Sequence, residues 1–210
     1  MLVENRHNDG AFLRSVAPSS VREELREALD NRWIEIEHGG GADMKTRIRT
    51  ATLEEAMRLW VLSDSDAREP DRPSSFQQAL CQLCADQGVS HHLLQRRAIE
   101  NYLPIQALND WTFSCIRSSQ EARRNKVKTF ARLQPAQRHY YNMTKGFDAD
   151  RPDIPALFAD CANHPHLQSG FGEDISSRFH QPIQEDWLRR DGQHAETLSM
   201  VQSILRRLLG

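Results

Sequence analysis

The run Leu59-Trp60-Val61-Leu62 breaks directly into Ser63-Asp64-Ser65-Asp66, and no other stretch constrains the fold as much. A short apolar run bounded by turn chemistry reads as a strand buried on both faces, which belongs in a sheet covered by helices. In an open α/β sheet, ligands bind just past the carboxyl ends of the strands, where Asp64 and Asp66 would stand. Alternate strand residues share a face, so the two carboxylates are spaced to hold one hard cation such as Mg²⁺. Residues 67–73 carry Pro and Arg and read as an exposed loop. Taken alone, Asp-Ser-Asp also reads as a solvated turn after a strand.

The rest of the chain alternates strand and helix patterns up to Pro104. Residues 2–4 read as a first strand and 9–16 as a helix. Ser20 with Glu23 has capping-box spacing for a helix over 21–29. Trp33-Ile34-Glu35-Ile36-Glu37 alternates apolar and acidic residues and reads as a strand nearer an edge. His38-Gly39-Gly40-Gly41 follows, either a flexible turn or a close approach for a phosphate. A helix over 52–57 leads to the central strand, a helix over 74–87 follows it, and 89–94 reads as a fourth strand. Strands alternating with helices imply crossover connections and a mostly parallel sheet. Beyond Pro104 no strand pattern returns. Segments 105–116, 119–133, 155–162, 175–179 and 195–209 read as helical, the last an amphipathic helix that packs on the core. The expected organisation is an α/β core over 1–104 with a helical extension over 105–210.

Composition narrows the function classes. With 39% hydrophobic and 27% charged residues and no apolar run near the roughly 20 residues a bilayer span requires, the chain reads as cytoplasmic, with no membrane partner. Cys81 and Cys84 have the spacing of half a zinc site, but no second pair completes it, so they read as helix cysteines one turn apart. The pairs His91-His92 and His164/His166 lack a third ligand at recognisable spacing. The net charge is −2, unevenly spread. Residues 96–145 hold ten Lys/Arg against three Asp/Glu, and the flanks are acidic. That segment reads either as a phosphate-tracking surface, with Arg96, Arg97, Arg123, Arg124, Lys126 and Lys128 as its cations, or as a solvated helix face. Tyr140 and Tyr141 read as base-stacking or packing residues.

Four stretches in order complete a pattern: Met1-Leu2-Val3-Glu4, the Asp64/Asp66 pair, Arg96-Arg97-Ala98-Ile99-Glu100-Asn101-Tyr102-Leu103-Pro104, and Asn142-Met143-Thr144-Lys145-Gly146-Phe147. Together they resemble the Toprim domain shared by topoisomerases, bacterial primases and OLD-family nucleases. The last two stretches are similar to the OLD-type nucleases, many of which act in defence against phage. The resemblance covers roughly residues 1–147. It departs from the family after Glu4, where Asn5 stands in place of the usual Gly, Asn8 holds the fourth position and Asp9 comes one later.

The resemblance implies a Rossmann-like Toprim fold and a nuclease hydrolysing DNA or RNA with two Mg²⁺ or Mn²⁺ ions. On this reading Asp64 and Asp66 hold the first ion, Glu4 ligates metal or moves a proton, and Glu100 completes the second ion's shell. Glu100 also reads as a surface neighbour of Arg96 and Arg97. Lys145, one of four lysines against 23 arginines, would approach a phosphoryl oxygen as charge develops. The larger relatives carry an ATPase domain ahead of this one. Here no Gly-x-x-x-x-Gly-Lys-Ser/Thr loop occurs, so a separate ATPase subunit is expected as partner, with a homodimer as the other assembly. The alternative from another class is a non-catalytic Toprim-like module that binds nucleic acid or a partner ATPase.

Overall fold

The computed structural model describes residues 1–40 and 42–210; the Gly41 part of the glycine run lies outside them. Four strands form one sheet: β1 (Leu2–Val3), β2 (Glu37–His38), β3 (Trp60–Ser63) and β4 (Ser90–Leu93). Their order is β2-β1-β3-β4 and every pairing is parallel. The fold is therefore α/β with a four-stranded parallel sheet, compatible with a Rossmann-like arrangement.

The chain divides into two compact units that interleave along the sequence. The first comprises residues 1–65, 74–95 and 179–210; the second comprises 66–73 and 96–178. The division thus differs from a single break after Pro104. Residues 66–73 and 96–104 join the second unit, and the last 32 residues return to the first.

In the first unit, β3 is buried at all four positions, as its unbroken apolar run requires. The alternate residues Leu2 and Val61 share a core with Met44 and Ile48 of α3 (Ala42–Thr50), Ala56 of α4 (Leu53–Met57), and Leu80 and Cys84 of α5 (Ser75–Asp86). Trp60 is fully buried, and its indole N–H donates to Ser203 Oγ at 3.1 Å on α10 (His194–Leu208). The amphipathic stripe of α10 (Met200, Val201, Ile204, Leu205) is buried, so this helix packs on the core. Of the helix cysteines, Cys84 is buried with its thiol pushed up to about 12 by desolvation, and Cys81 is half-buried; neither is in a disulfide.

Local chemistry sets several boundaries. In α1 (Arg6–Val16), Asn5 Oδ1 accepts from the His7 and Asn8 N–H groups, while buried Asp9 accepts the Asn5 N–H at 2.9 Å. The helix therefore starts three residues before the sequence pattern suggested. Thr52 and Glu55 form a full capping box at α4. The box expected at Ser20/Glu23 is not made. Helix α2 (Ser19–Asp30) starts with Pro18 at its cap, and Glu185 of α9 (Glu185–Arg190) accepts the Ser19 N–H at 2.8 Å. Strand β2 is shorter than the alternation over 33–37, because the Ile34 N–H donates to Ala28 O at the end of α2. Its edge position agrees with the sequence reading. Gly39 is neither a loose turn nor an open cradle: its N–H donates to Val3 O, and a Cβ there would lie 2.5 Å from Leu2 Cδ1.

Glu185 yields a pH prediction. Its carboxylate accepts from Ser19, Arg189 and His194, and the Ser19 backbone bond leads the causes that pull its pKa down to about 2. A depressed folded-state pKa contributes stability above the unfolded value near 4.5, lost as pH falls toward 2. With the side chain 17% exposed, Glu185→Gln is expected to cost about 1–2 kcal/mol at pH 7. Urea titrations of both proteins from pH 7 to 2 should show that gap closing across this window.

The second unit is helical: α6 (Ile105–Trp111), α7 (Arg117–Arg132), α8 (Pro135–Tyr140) and 3₁₀ turns at Ile99–Tyr102, Phe147–Asp150, Ala156–Phe158, Pro165–Leu167 and Ile175–His180, the last crossing into the first unit. Two of these 3₁₀ turns fall where helices were expected: Ala156–Phe158 is shorter than the 155–162 helix, and Ile175–His180 covers the 175–179 segment. Tyr141, Phe147, Phe158 and Phe171 pack edge to face with ring centroids 5.1–6.5 Å apart. Tyr141 is fully buried and donates to Leu167 O, so it packs. Among the described residues no helix is long and apolar enough to cross a membrane.

The Asn142–Phe147 stretch is a tight turn pressed on residues 168–170. Gly146 has φ +75°, and a Cβ there would lie 2.3 Å from Gln168 O. Gly146→Ala is expected to lower stability by about 1–3 kcal/mol through strain alone, with the backbone clash adding to it. Thermal unfolding by circular dichroism checks this, and an unchanged Tm would contradict the packing.

Candidate active site

Two of the candidate carboxylates stand at carboxyl ends of the parallel strands in the first unit. Glu4 follows β1 and Asp64 follows β3, and these strands are sheet neighbours with Leu2 opposite Val61. In the order β2-β1-β3-β4 the chain leaves β1 toward one side and β3 toward the other, so the β1/β3 crevice is the topological switch point. Both side chains are half-buried. Ser74 caps α5 with its Oγ while its own N–H donates to Ser65 O, which ties the start of the helix to the loop after β3. Gln77 in the first turn of α5 then donates from Nε2 to Glu4 Oε1 at 3.0 Å. A buried amide on one carboxylate oxygen fixes the rotamer, as outer-shell partners of metal ligands do. Gln77 escaped the sequence reading; its only signal is the third helical position after Ser74.

Asp66 departs from expectation. Strand β3 ends at Ser63, and Asp66 is exposed with φ +49°, so the alternation that put both carboxylates on one face does not extend to it. Its N–H donates to Arg97 O at 2.9 Å. That bond joins the 66–73 loop to the segment that carries half-buried Glu100 on its 3₁₀ turn. The carboxylates thus divide, Glu4 and Asp64 in the first unit, Asp66 and Glu100 in the second. Lys145 is exposed on the 142–146 turn, its Nζ 3.6 Å from Glu173.

Among the described residues, no three His, Cys, Asp or Glu side chains stand together to hold a metal ion. Glu4 and Asp64 nonetheless suit Mg²⁺, which keeps several waters and takes one or two carboxylates plus substrate oxygens. His91 is not a ligand candidate: Ser63 Oγ lies 2.9 Å from its Nε2, and burial, then neighbouring His92, brings its pKa down to about 4.

The basic segment is sorted by burial. Arg96 is 6% exposed; it donates to Asn101 O at 2.7 Å and covers the Tyr102 ring. Arg97 is held by both oxygens of Asp150. Arg123 donates to Trp111 O and lies 4.0 Å from that ring's centroid. Lys126 donates to the Ser169 and Gly170 carbonyls, and desolvation lowers its pKa. These four are committed to internal partners, which corrects their expected place on a phosphate-tracking surface. Arg124 and Lys128 are exposed as expected. Exposed Arg117 and Arg132 join them at helical spacing along α7, with Glu121 among them. Phe113, 61% exposed, lies under Arg124, an exposed aromatic the sequence reading missed.

No family model, curated protein or solved structure matches this chain.

Proposed function

We propose that this chain is a divalent-metal-dependent nuclease of the Toprim, OLD-like type, and that it acts in defence against phage. The observation that carries the reading is the pair Glu4 and Asp64 directly after adjacent central strands, at the switch point of a parallel sheet. Glu4, steadied by Gln77, and Asp64 would hold Mg²⁺ or Mn²⁺ at the end of the first unit's sheet. Such ions neutralise phosphate charge and lower the pKa of a bound water. The chain's own residues bind and orient the substrate. Arg117, Arg124, Lys128 and Arg132 engage the phosphate backbone, Phe113 stacks on an accessible base, and exposed Lys145 meets charge on the cleaved phosphate. The family resemblance further supports a separate ATPase subunit as partner. The decisive experiment is nicking of supercoiled plasmid and cleavage of tRNA, each with Mg²⁺, Mn²⁺ or chelator. Cleavage that survives chelator, or none under any condition, rejects the reading.

The second reading, a non-catalytic module binding nucleic acid or an ATPase, is favoured by Asn5. It occupies the position where the Toprim pattern has Gly, and its side chain is spent on capping α1.

The α7 surface has its own prediction. Arg124→Gln with Lys128→Gln is expected to weaken binding of oligonucleotides of any sequence, and to flatten the plot of log affinity against log salt by about 2. Fluorescence anisotropy over a salt series measures both. An unchanged slope would return α7 to a merely solvated face.

A further inference from the structure

A cleft in the first unit is lined by neither Glu4 nor Asp64. It occupies about 890 Å³ of the first unit, between α1, the end of α2 and edge strand β2. Three arginines line it, Arg6, Arg14 and Arg32, together with the imidazoles of His7, His38 and His180. Against these stand Glu35 and Glu37, the latter 3.5 Å from Arg47 outside the cavity. Arg14 pairs with Asp30, and among the described residues neither Arg6 nor Arg32 forms an ion pair. The floor is apolar, built of Ala11, Leu29, Ile34 and Ile36. On one side the His7 and His180 rings stand with centroids 4.3 Å apart, inclined at 31°.

We infer that this cleft is a nucleotide-binding site, distinct from the proposed cleavage centre, that takes a phosphate ester on Arg6 and Arg32 and the base against the imidazole pair and the apolar floor. Guanidinium groups pair with phosphate oxygens through two parallel bonds, stronger and more directional than a point charge gives. The volume falls in the range of small-molecule sites, roughly 300–1,000 Å³, and an apolar floor with a few convergent polar groups is their usual construction. A purely inorganic anion would leave the floor and the ring pair without a role. The reading does not depend on nuclease activity, since it requires no metal.

Arg32 supplies a probe that spares the fold. It holds φ +59° just after α2, a left-handed position that favours glycine. Arg32→Gly therefore removes the guanidinium while relieving the backbone, and Tm should hold or rise.

The test is calorimetric titration of the full chain in EDTA with ATP and with inorganic tripolyphosphate. In parallel, 5′-phosphorylated and 5′-hydroxyl oligonucleotides compete against ATP. The expected result is ATP binding that is tighter than tripolyphosphate binding, weakened at least tenfold by Arg32→Gly and by Arg6→Gln. Arg124→Gln/Lys128→Gln, on the other basic surface, should leave ATP affinity unchanged. If only the 5′-phosphorylated oligonucleotide displaces ATP, the natural phosphate is a nucleic-acid end; if neither oligonucleotide does, it is a free nucleotide. Absence of ATP binding in EDTA, or ATP affinity unaltered in both arginine variants, overturns the site.

Discussion

Asp64→Ala is expected to reduce metal-dependent phosphodiester cleavage about a thousandfold while leaving the fold intact. Charge neutralisation and water activation by a bound cation supply several kcal/mol to the transition state, and about 4 kcal/mol corresponds to three orders of magnitude. Asp64 stands directly after β3, half-buried at the sheet's switch point, with all four β3 residues buried behind it. Truncating it leaves the strand ladder to β4 untouched, since that ladder runs through Trp60–Ser63. Glu4→Gln is the complementary variant. It keeps an oxygen for the Gln77 amide but removes the charge, so it should lose activity without losing the local geometry. A second readout separates lost ligation from lost folding: Mg²⁺ should raise the Tm of the wild type and not of either variant. Wild-type cleavage rates in both variants would sink the assignment.

How much of this was legible from sequence varies with the range of the interaction that fixes each feature. Strand β3 and helices α4 and α5 rest on neighbouring residues and stand where the pattern put them. The cap of α2 does not, because its acceptor is Glu185, 166 residues away, and local spacing cannot report that. The return of α9 and α10 to the first unit is hidden for the same reason. A carboxylate directly after a buried strand is a local signal, and Glu4 and Asp64 do follow β1 and β3; the strand alternation does not reach Asp66, whose left-handed backbone breaks the period. The basic segment shows the plainest limit. Sequence counts charges but not their direction, and Arg96, Arg97, Arg123 and Lys126 each spend theirs on a carbonyl, a ring or a carboxylate inside the second unit. The segments that carry the Toprim resemblance there have structural tasks as well. Asn101 Nδ2 donates to the Arg138 and Tyr141 carbonyls, and Gly146 admits the 168–170 backbone.

Asp150→Ala is expected to cost about 3–5 kcal/mol of stability. Arg97 Nη1 and Nη2 meet the two oxygens of Asp150 at 2.6 and 2.9 Å, with side-chain exposures of 14% and 5%. Arg68 Nε stands a further 3.8 Å from the same carboxylate. Removing Asp150 strands a guanidinium that is mostly out of water, and that uncompensated charge, more than the lost attraction, sets the cost. Replacing both partners with apolar residues tests the cause. Arg97→Met with Asp150→Leu should be less damaging than Asp150→Ala alone, because neither charge is then buried. Arg97 also accepts the Asp66 N–H through its carbonyl, so loosening this pair should loosen the 66–73 loop as well. Urea titration of the single and double variants gives the energies. A single variant as stable as the wild type would mean that water reaches Arg97 and that the pair is only a surface contact.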